Sequence, residues 1–269
     1  MWPYRCLAVS MPAAVPWHSH SHIASRHASL SPPLCLAERA LHGTEMSAAK
    51  RVTILGFGSL LSERSTKTTF PDATNFRLVV VNGYRRSFAH PAAIFFKRGI
   101  ADLEKLRCAS LSAEECEGAS FIGTAFEATD IGMDAFRERE EEFRLEFIPF
   151  SPLMQETSSS SPALGLACLR WTDEDYIAHW GHERFERDYL AVGAKTIWGW
   201  APNSCLEPCH PYLRHCVLAA TKLGSACLDS FLDQTFLVDR TTPLRRYLEY
   251  HPEVMSTLPP PELAERYGG

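Results

Sequence analysis

The chain has no run approaching the roughly 18 consecutive apolar residues that cross a bilayer, so no transmembrane helix and no membrane partner are expected. It has no excess of positive charge. Its 27 Lys and Arg are set against 32 Asp and Glu, a net charge of -5, which argues against nucleic acid as the main partner. It lacks a regular cysteine framework: the nine cysteines are odd in number and irregularly spaced, and no convincing secretory segment precedes them. Free thiols in a reducing, cytoplasmic compartment are the simplest expectation. No Ser/His/Asp or Cys/His triad pattern is evident. What is present is ordinary for a soluble globular protein: 269 residues, 45% hydrophobic and 22% charged, enough for one large or two small domains.

Residues 1–45 differ from the rest. They carry only two acids, Glu38 and Glu45, among many Ser, Ala, Pro and His, with basic residues at Arg5, Arg26 and Arg39. This is the composition of an organellar transit peptide, which would place the protein in a plastid or mitochondrion. Alternatively, translation begins at Met46. On either reading residues 1–45 are an extension, 46–250 form the folded domain, and 251–269, with Pro259-Pro260-Pro261, form a Pro-rich tail.

Within the domain, Arg51 to Gly56 reads as a short buried strand. Polar residues 62–74 follow, broken by Pro71. Phe76 to Phe88 has strand character, with a tight turn or bulge at Asn82-Gly83. Further strands are expected over Ala119–Ala128, Leu145–Phe150 and Leu164–Trp171. Helices are expected from Asp130 through Phe143, from Asp173 towards Leu190 with an irregularity at Gly181, and over Tyr212–Leu223 and Leu228–Phe236. Residues 156–162 form a serine-rich loop. Strands first and helices last give an α+β fold with a largely antiparallel sheet or small barrel and a helical C-terminal part.

The first strand runs into Gly56-Phe57-Gly58-Ser59-Leu60-Leu61. This is not a dinucleotide fingerprint: Leu61 occupies the third glycine position, and the second strand ends in Ala89-His90 rather than an acid. Nor is it a phosphate-binding P-loop, since no Gly-Lys-Ser/Thr follows. Two readings stay open, a plain turn that needs glycine dihedrals or a cradle of backbone N–H groups for an anion.

About eighty residues later comes an acidic helix. At helical period Met133, Phe136, Glu140 and Phe143 share one stripe, whereas Asp134 and Glu138 lie away from it and Glu141 and Glu142 flank it. Glu140 is then the single acid set among aromatic residues. Desolvation there would raise its pKa above the ordinary value of about 4.3, towards the range of a general acid and base. The alternative is a frayed helix with Glu140 at its edge.

The Gly-aromatic-Gly-Ser-Leu loop, together with Phe136, Arg139-Glu140 and Phe143-Arg144, resembles the gamma-glutamylcyclotransferase superfamily, over roughly residues 50–240. The late stretches Tyr212 to Ala220 and Phe231 to Thr235 add to the resemblance. It implies a small mixed or antiparallel β-barrel flanked by helices. It implies that the backbone of Gly56, Phe57, Gly58, Ser59, Leu60 and Leu61 holds the substrate's γ-glutamyl group, and that Glu140 is the catalytic acid and base. The reaction implied is attack of the substrate's α-amino group on its own γ-carbonyl, releasing 5-oxoproline and an amine or amino acid. No metal or organic cofactor is implied. The chain departs from the pattern at Phe57 and Phe143, where Tyr is common, and over Ser87–Pro91 and Ile94–Leu111, which map onto no familiar branch. A non-catalytic module of the same fold, binding a small anion or a protein partner, is the alternative.

Cys205, Cys209, His210, His215 and Cys216 gather five possible metal ligands in twelve residues, but without the paired short spacings of zinc sites. Free thiols near a helix start are the simpler reading.

Overall fold

Five strands close on themselves in a computed structural model that describes residues 50–129, 133–153 and 162–269. β1 (Arg51–Gly56) pairs antiparallel with β3 (Arg107–Thr129) and parallel with β5 (Ala163–Leu169). β5 pairs antiparallel with β4 (Arg144–Pro152), β4 with β2 (Thr74–Pro91), and β2 with β3, which completes the ring. Because the β1–β5 pairing and a single β3–β5 bridge are parallel while the other pairings are antiparallel, the barrel is mixed and mostly antiparallel. Closure removes the open edges that would otherwise template aggregation. The expected α+β class and barrel are both met.

β2 and β3 are much longer than the alternation suggested, at 18 and 23 residues. Asn82-Gly83 is a bulge: the register shifts between Asn82 and Tyr84, and Gly83 has φ 82°. Beyond it, Tyr84–Pro91 pairs with the first half of β3, carrying the two strands past the barrel. The stretch Ile94–Leu111 that matched no familiar pattern comprises most of α2 (Ala93–Lys97), the loop after it and the start of β3. Pro71 limits α1 to Glu63–Thr69, which Ser62 caps by accepting from Ser65 N at 3.3 Å.

The helical part follows the expected order. α3 spans Met133–Arg139, so the expected cap Asp130 lies outside the described residues, as do residues 1–45 and most of the serine-rich loop. Gly181, at φ 87°, divides the fourth helical segment into α4 (Asp173–Trp180) and α5 (His182–Asp188). α6 (His210–Lys222), α7 (Ser225–Asp233) and α8 (Leu244–Tyr250) complete the set, with two-residue strands β6 (Glu207–Pro208) and β7 (Thr235–Phe236) added to β3 and β2. Arg86 of β2 fixes α7 to the barrel. Its buried guanidinium donates to Ile122 O and Ser230 O and lies between the rings of Phe121 and Phe231.

Residues 251–269 are not a solvent-facing tail. Val254 and Tyr267 are buried, Arg214 Nε donates to Met255 O, and Gly269 N donates to His215 Nδ1 at 3.0 Å. The segment holds two short 3₁₀ helices, Pro252–Ser256 and Pro261–Leu263, and proline content does not tell whether it packs. Among the described residues no helix is long and apolar enough to cross a membrane.

Candidate functional site

The glycine loop is shaped by what stands against it. A Cβ on Gly56 would come within 2.5 Å of Thr124 Oγ1, and one on Gly58 within 2.5 Å of the Tyr212 hydroxyl. Neither glycine has a positive φ, so close approach rather than backbone freedom requires them, which corrects the dihedral reading of the turn. Ser59–Leu61 form one 3₁₀ turn, closed by Leu61 N donating to Gly58 O at 3.0 Å. Thr124 Oγ1 and Thr66 Oγ1 both reach Leu60 O. Among the described residues no hydrogen bond takes the backbone N–H of Phe57, Gly58 or Leu60. These donors are the chemical resource of the loop.

Glu140 meets that loop, but not by helical phasing. α3 ends at Arg139 and residues 140–142 form a turn, with Glu140 N donating to Phe136 O and Phe143 N donating to Glu140 O. Glu140 and residues Gly56 to Leu60 line one small cavity of about 40 Å³, together with Ser110, Phe143, Cys168 and Tyr212. Leu61 is buried away from it. The Glu140 side chain is 16% exposed and pairs with Arg139 Nε at 3.0 Å. Arg139 also donates to Ser59 Oγ at 3.1 Å and to Thr69 Oγ1, so one guanidinium ties the acid to the loop and to α1.

The fully desolvated acid is Glu142, which the helical pattern put on the flank. Its Oε1 accepts from Tyr189 OH at 2.7 Å and from Ala93 N at 2.8 Å. Burial, reinforced by the neighbouring Glu141, pushes its pKa up to about 8. Glu141 is also buried and pairs with Arg184 and, at 3.9 Å, Lys97. The expectation that Glu140 alone faces inward therefore fails, because the helical period holds only to Arg139, four residues short of Phe143.

A larger cavity of about 370 Å³ adjoins the first and shares Ser59, Ser110, Glu140, Phe143 and Tyr212 with it. Arg98, Arg139, Arg184, Arg266 and Tyr267 contribute to its wall. Burial holds Tyr212 protonated, with its pKa well above the ordinary range. Phe57 packs edge-on against Phe121 at 5.7 Å, and Phe143 packs edge-on against His90 at 5.0 Å. At both departures from the family pattern an apolar ring fills the position.

These residues were unevenly legible in the sequence. Tyr212, one turn into an apolar helix, could border a pocket, although core packing was the favoured reading. Arg266 and Tyr267 stood in the presumed tail. Arg139 stood inside the motif, where its position next to Glu140 was the one available clue.

The possible metal ligands do not converge. Cys209 Sγ donates to Ile100 O, His210 pairs with Tyr247 OH, and His215 lies between Ser65 Oγ and Gly269 N. Among the described residues no three His, Cys, Asp or Glu side chains form a metal-binding group. Cys108, Cys116, Cys168, Cys209, Cys216 and Cys227 are free thiols.

No family model and no curated protein matches the chain. Among solved structures it is similar to a gamma-glutamyl cyclotransferase, at 9% identity over 45% of this chain and 68% of that one, with a TM-score of 0.36. It is similar to the yeast gamma-glutamyl cyclotransferase specific to glutathione, at 10% identity over 77% of this chain and 96% of that one, with a TM-score of 0.43. An uncharacterised human protein matches at 10% identity over 45% and 67% of the two chains, with a TM-score of 0.36. At such identities and scores the functional case rests on the geometry of the site.

Proposed function

We propose that the protein cleaves γ-glutamyl amides by intramolecular attack, releasing 5-oxoproline and an amine or amino acid. The observation that carries this reading is that Glu140 and the loop with unengaged N–H groups line the same small cavity. The γ-glutamyl end lies in that cavity, its charge or developing oxyanion facing the N–H groups of Phe57, Gly58 and Leu60. Glu140 takes a proton from the α-amino nitrogen as that nitrogen bonds to the γ-carbonyl carbon. It returns the proton to the amide nitrogen as the carbon–nitrogen bond breaks. Arg139 fixes the direction of the carboxylate. The nucleophile belongs to the substrate, so the chain needs only positioning and one proton carrier, consistent with the absence of a triad pattern. No cofactor enters these steps.

The test is 5-oxoproline release from γ-glutamyl dipeptides, glutathione and γ-glutamyl amines. Glu140→Gln is expected to abolish it while leaving the fold intact. Full activity in that variant, or no product from any of these substrates, overturns the proposal. A second reading, a binding module without turnover, is favoured by Phe57 and Phe143, which present rings where hydroxyls would help position a substrate. It predicts thermal stabilisation by γ-glutamyl compounds with no product formed.

A further inference from the structure

The larger cavity has an excess of unmatched positive charge in one corner. Of its carboxylates, Glu140 pairs with Arg139, Glu138 with Arg184, and Glu141 with Arg184 and Lys97. Glu142 is engaged by Tyr189 and Ala93. Arg98 and Arg266 line the same cavity, and among the described residues neither forms an ion pair with a carboxylate. Arg98, just after α2, donates through Nη1 to Tyr267 OH at 2.8 Å. Tyr267 is buried, so it fixes Arg98 beside the segment that carries Arg266. Arg266 is partly buried, with Arg98 and Arg139 repelling its charge and Glu140 attracting it. Cations gathered and partly desolvated without a matching anion are costly, and an anionic group of a ligand is their natural complement.

The location of this corner says which part of a ligand it serves. The loop and Glu140 line the small cavity. The large cavity begins at Ser59, Ser110, Glu140, Phe143 and Tyr212 and extends to Arg98 and Arg266. A substrate whose γ-glutamyl end lies at the loop sends its leaving group into the larger space. Arg266 lies outside residues 50–240, so the family resemblance contributes nothing to this point.

We infer that Arg98 and Arg266 form a subsite for a carboxylate on the leaving group, selecting γ-glutamyl amino acids and peptides over γ-glutamyl derivatives of neutral amines. This rests on the cyclotransferase reading for the direction of the substrate. The guanidinium groups offer paired donors matched to a carboxylate, whereas a neutral amide or alkyl group leaves both cations unanswered.

The experiment compares γ-glutamyl-alanine with γ-glutamyl-alaninamide, which differ only in the leaving group's charge, on the wild-type chain, Arg266→Met, Arg266→Lys and Arg98→Met. The wild type is expected to favour γ-glutamyl-alanine in kcat/KM. Arg266→Met and Arg98→Met are expected to shrink that preference by about tenfold or more, mainly through KM, the loss typical of a charged hydrogen bond. Arg266→Lys is expected to keep part of it. Equal wild-type activity on both substrates, or an equal loss on both in the methionine variants, overturns the subsite and leaves the cyclotransferase reading standing. If neither substrate yields 5-oxoproline, that reading falls and binding of N-acetylglycine decides the subsite. Calorimetric binding to the wild type that is lost in Arg266→Met, with an unchanged melting profile, sustains it; absence of binding overturns it.

Discussion

Gly58 leaves room for a single neighbouring hydroxyl and nothing more. Its missing Cβ is the space taken by the Tyr212 hydroxyl at 2.5 Å, while the next nearest side-chain atom, Leu111 Cδ2, would stand at 3.5 Å. Gly58→Ala should therefore cost about 1–3 kcal/mol and remove turnover by displacing the loop. Most of the stability loss should disappear in a Tyr212→Phe background. A double-mutant cycle by urea unfolding measures this coupling, and additive losses would contradict it. Glu142 gives a second residue-scale test. Its folded pKa of about 8 lies above the ordinary carboxylate value, so the folded chain retains a proton that the unfolded chain has released. Its contribution to stability is thus highest at low pH and declines as pH rises from about 4.5 to about 8. Glu142→Gln should remove a decline on the order of a few kcal/mol across that window, so that its stability-versus-pH curve is flatter than the wild type's. Parallel curves at pH 5, 7 and 9 would place the proton elsewhere. The four successive residues Arg139 to Glu142 show how far sequence reached here. An acid close to aromatic residues was legible, but which of three glutamates is desolvated depends on where the helix stops, and that is decided by contacts remote in sequence.

Those contacts belong to the turn as an element. The Trp180 indole donates to Glu141 O at 2.9 Å and the Trp198 indole to Glu142 O at 3.1 Å, so two tryptophans from beyond β5 hold the carbonyls left free where α3 ends. Trp198 is buried and stacks on His90 at a centroid distance of 4.1 Å. Trp198→Phe retains much of the ring but leaves a buried carbonyl unpaired, an expected loss of about 1–3 kcal/mol. Because that turn also carries Glu140, kcat for 5-oxoproline release should fall further than KM rises. Trp171, whose ring meets His179 of α4 at a tilt of 60°, is the control, and Trp171→Phe should leave the ratio of the two parameters unchanged. The barrel strands and the longer helices were readable from local pattern, including the break at Gly181 and the bulge at Gly83, but α1, α2 and α8 were not, and Thr235–Phe236 reads as helix yet forms β7. The support of a turn by indoles 39 and 56 residues away follows no local pattern.

At the scale of the whole molecule, two closures build the site, and only one was foreseeable. The barrel closes because β2 pairs with both β3 and β4, which brings β1 and its loop beside the start of β4 and the turn before it. Alternating strands made that architecture legible in outline. The second closure is the return of residues 251–269, in which Tyr267 is buried and accepts from Arg98 Nη1. Nothing in a Pro-rich stretch announces where it packs, because its docking depends on Tyr267 finding a place that the rest of the fold creates. Tyr267→Ala removes a buried ring and the partner that orients Arg98, so the fold should lose about 3 kcal/mol. If the segment were an incidental covering, the loss would end there. If it completes the cavity, Tyr267→Ala should also weaken discrimination between γ-glutamyl-alanine and its amide, whereas Leu258→Ala, a change at a residue 68% exposed in the same segment, should alter neither stability nor discrimination appreciably. Thermal melts and paired kinetics on the two variants separate these outcomes, since a purely structural segment predicts a lower melting temperature with unaltered substrate preference.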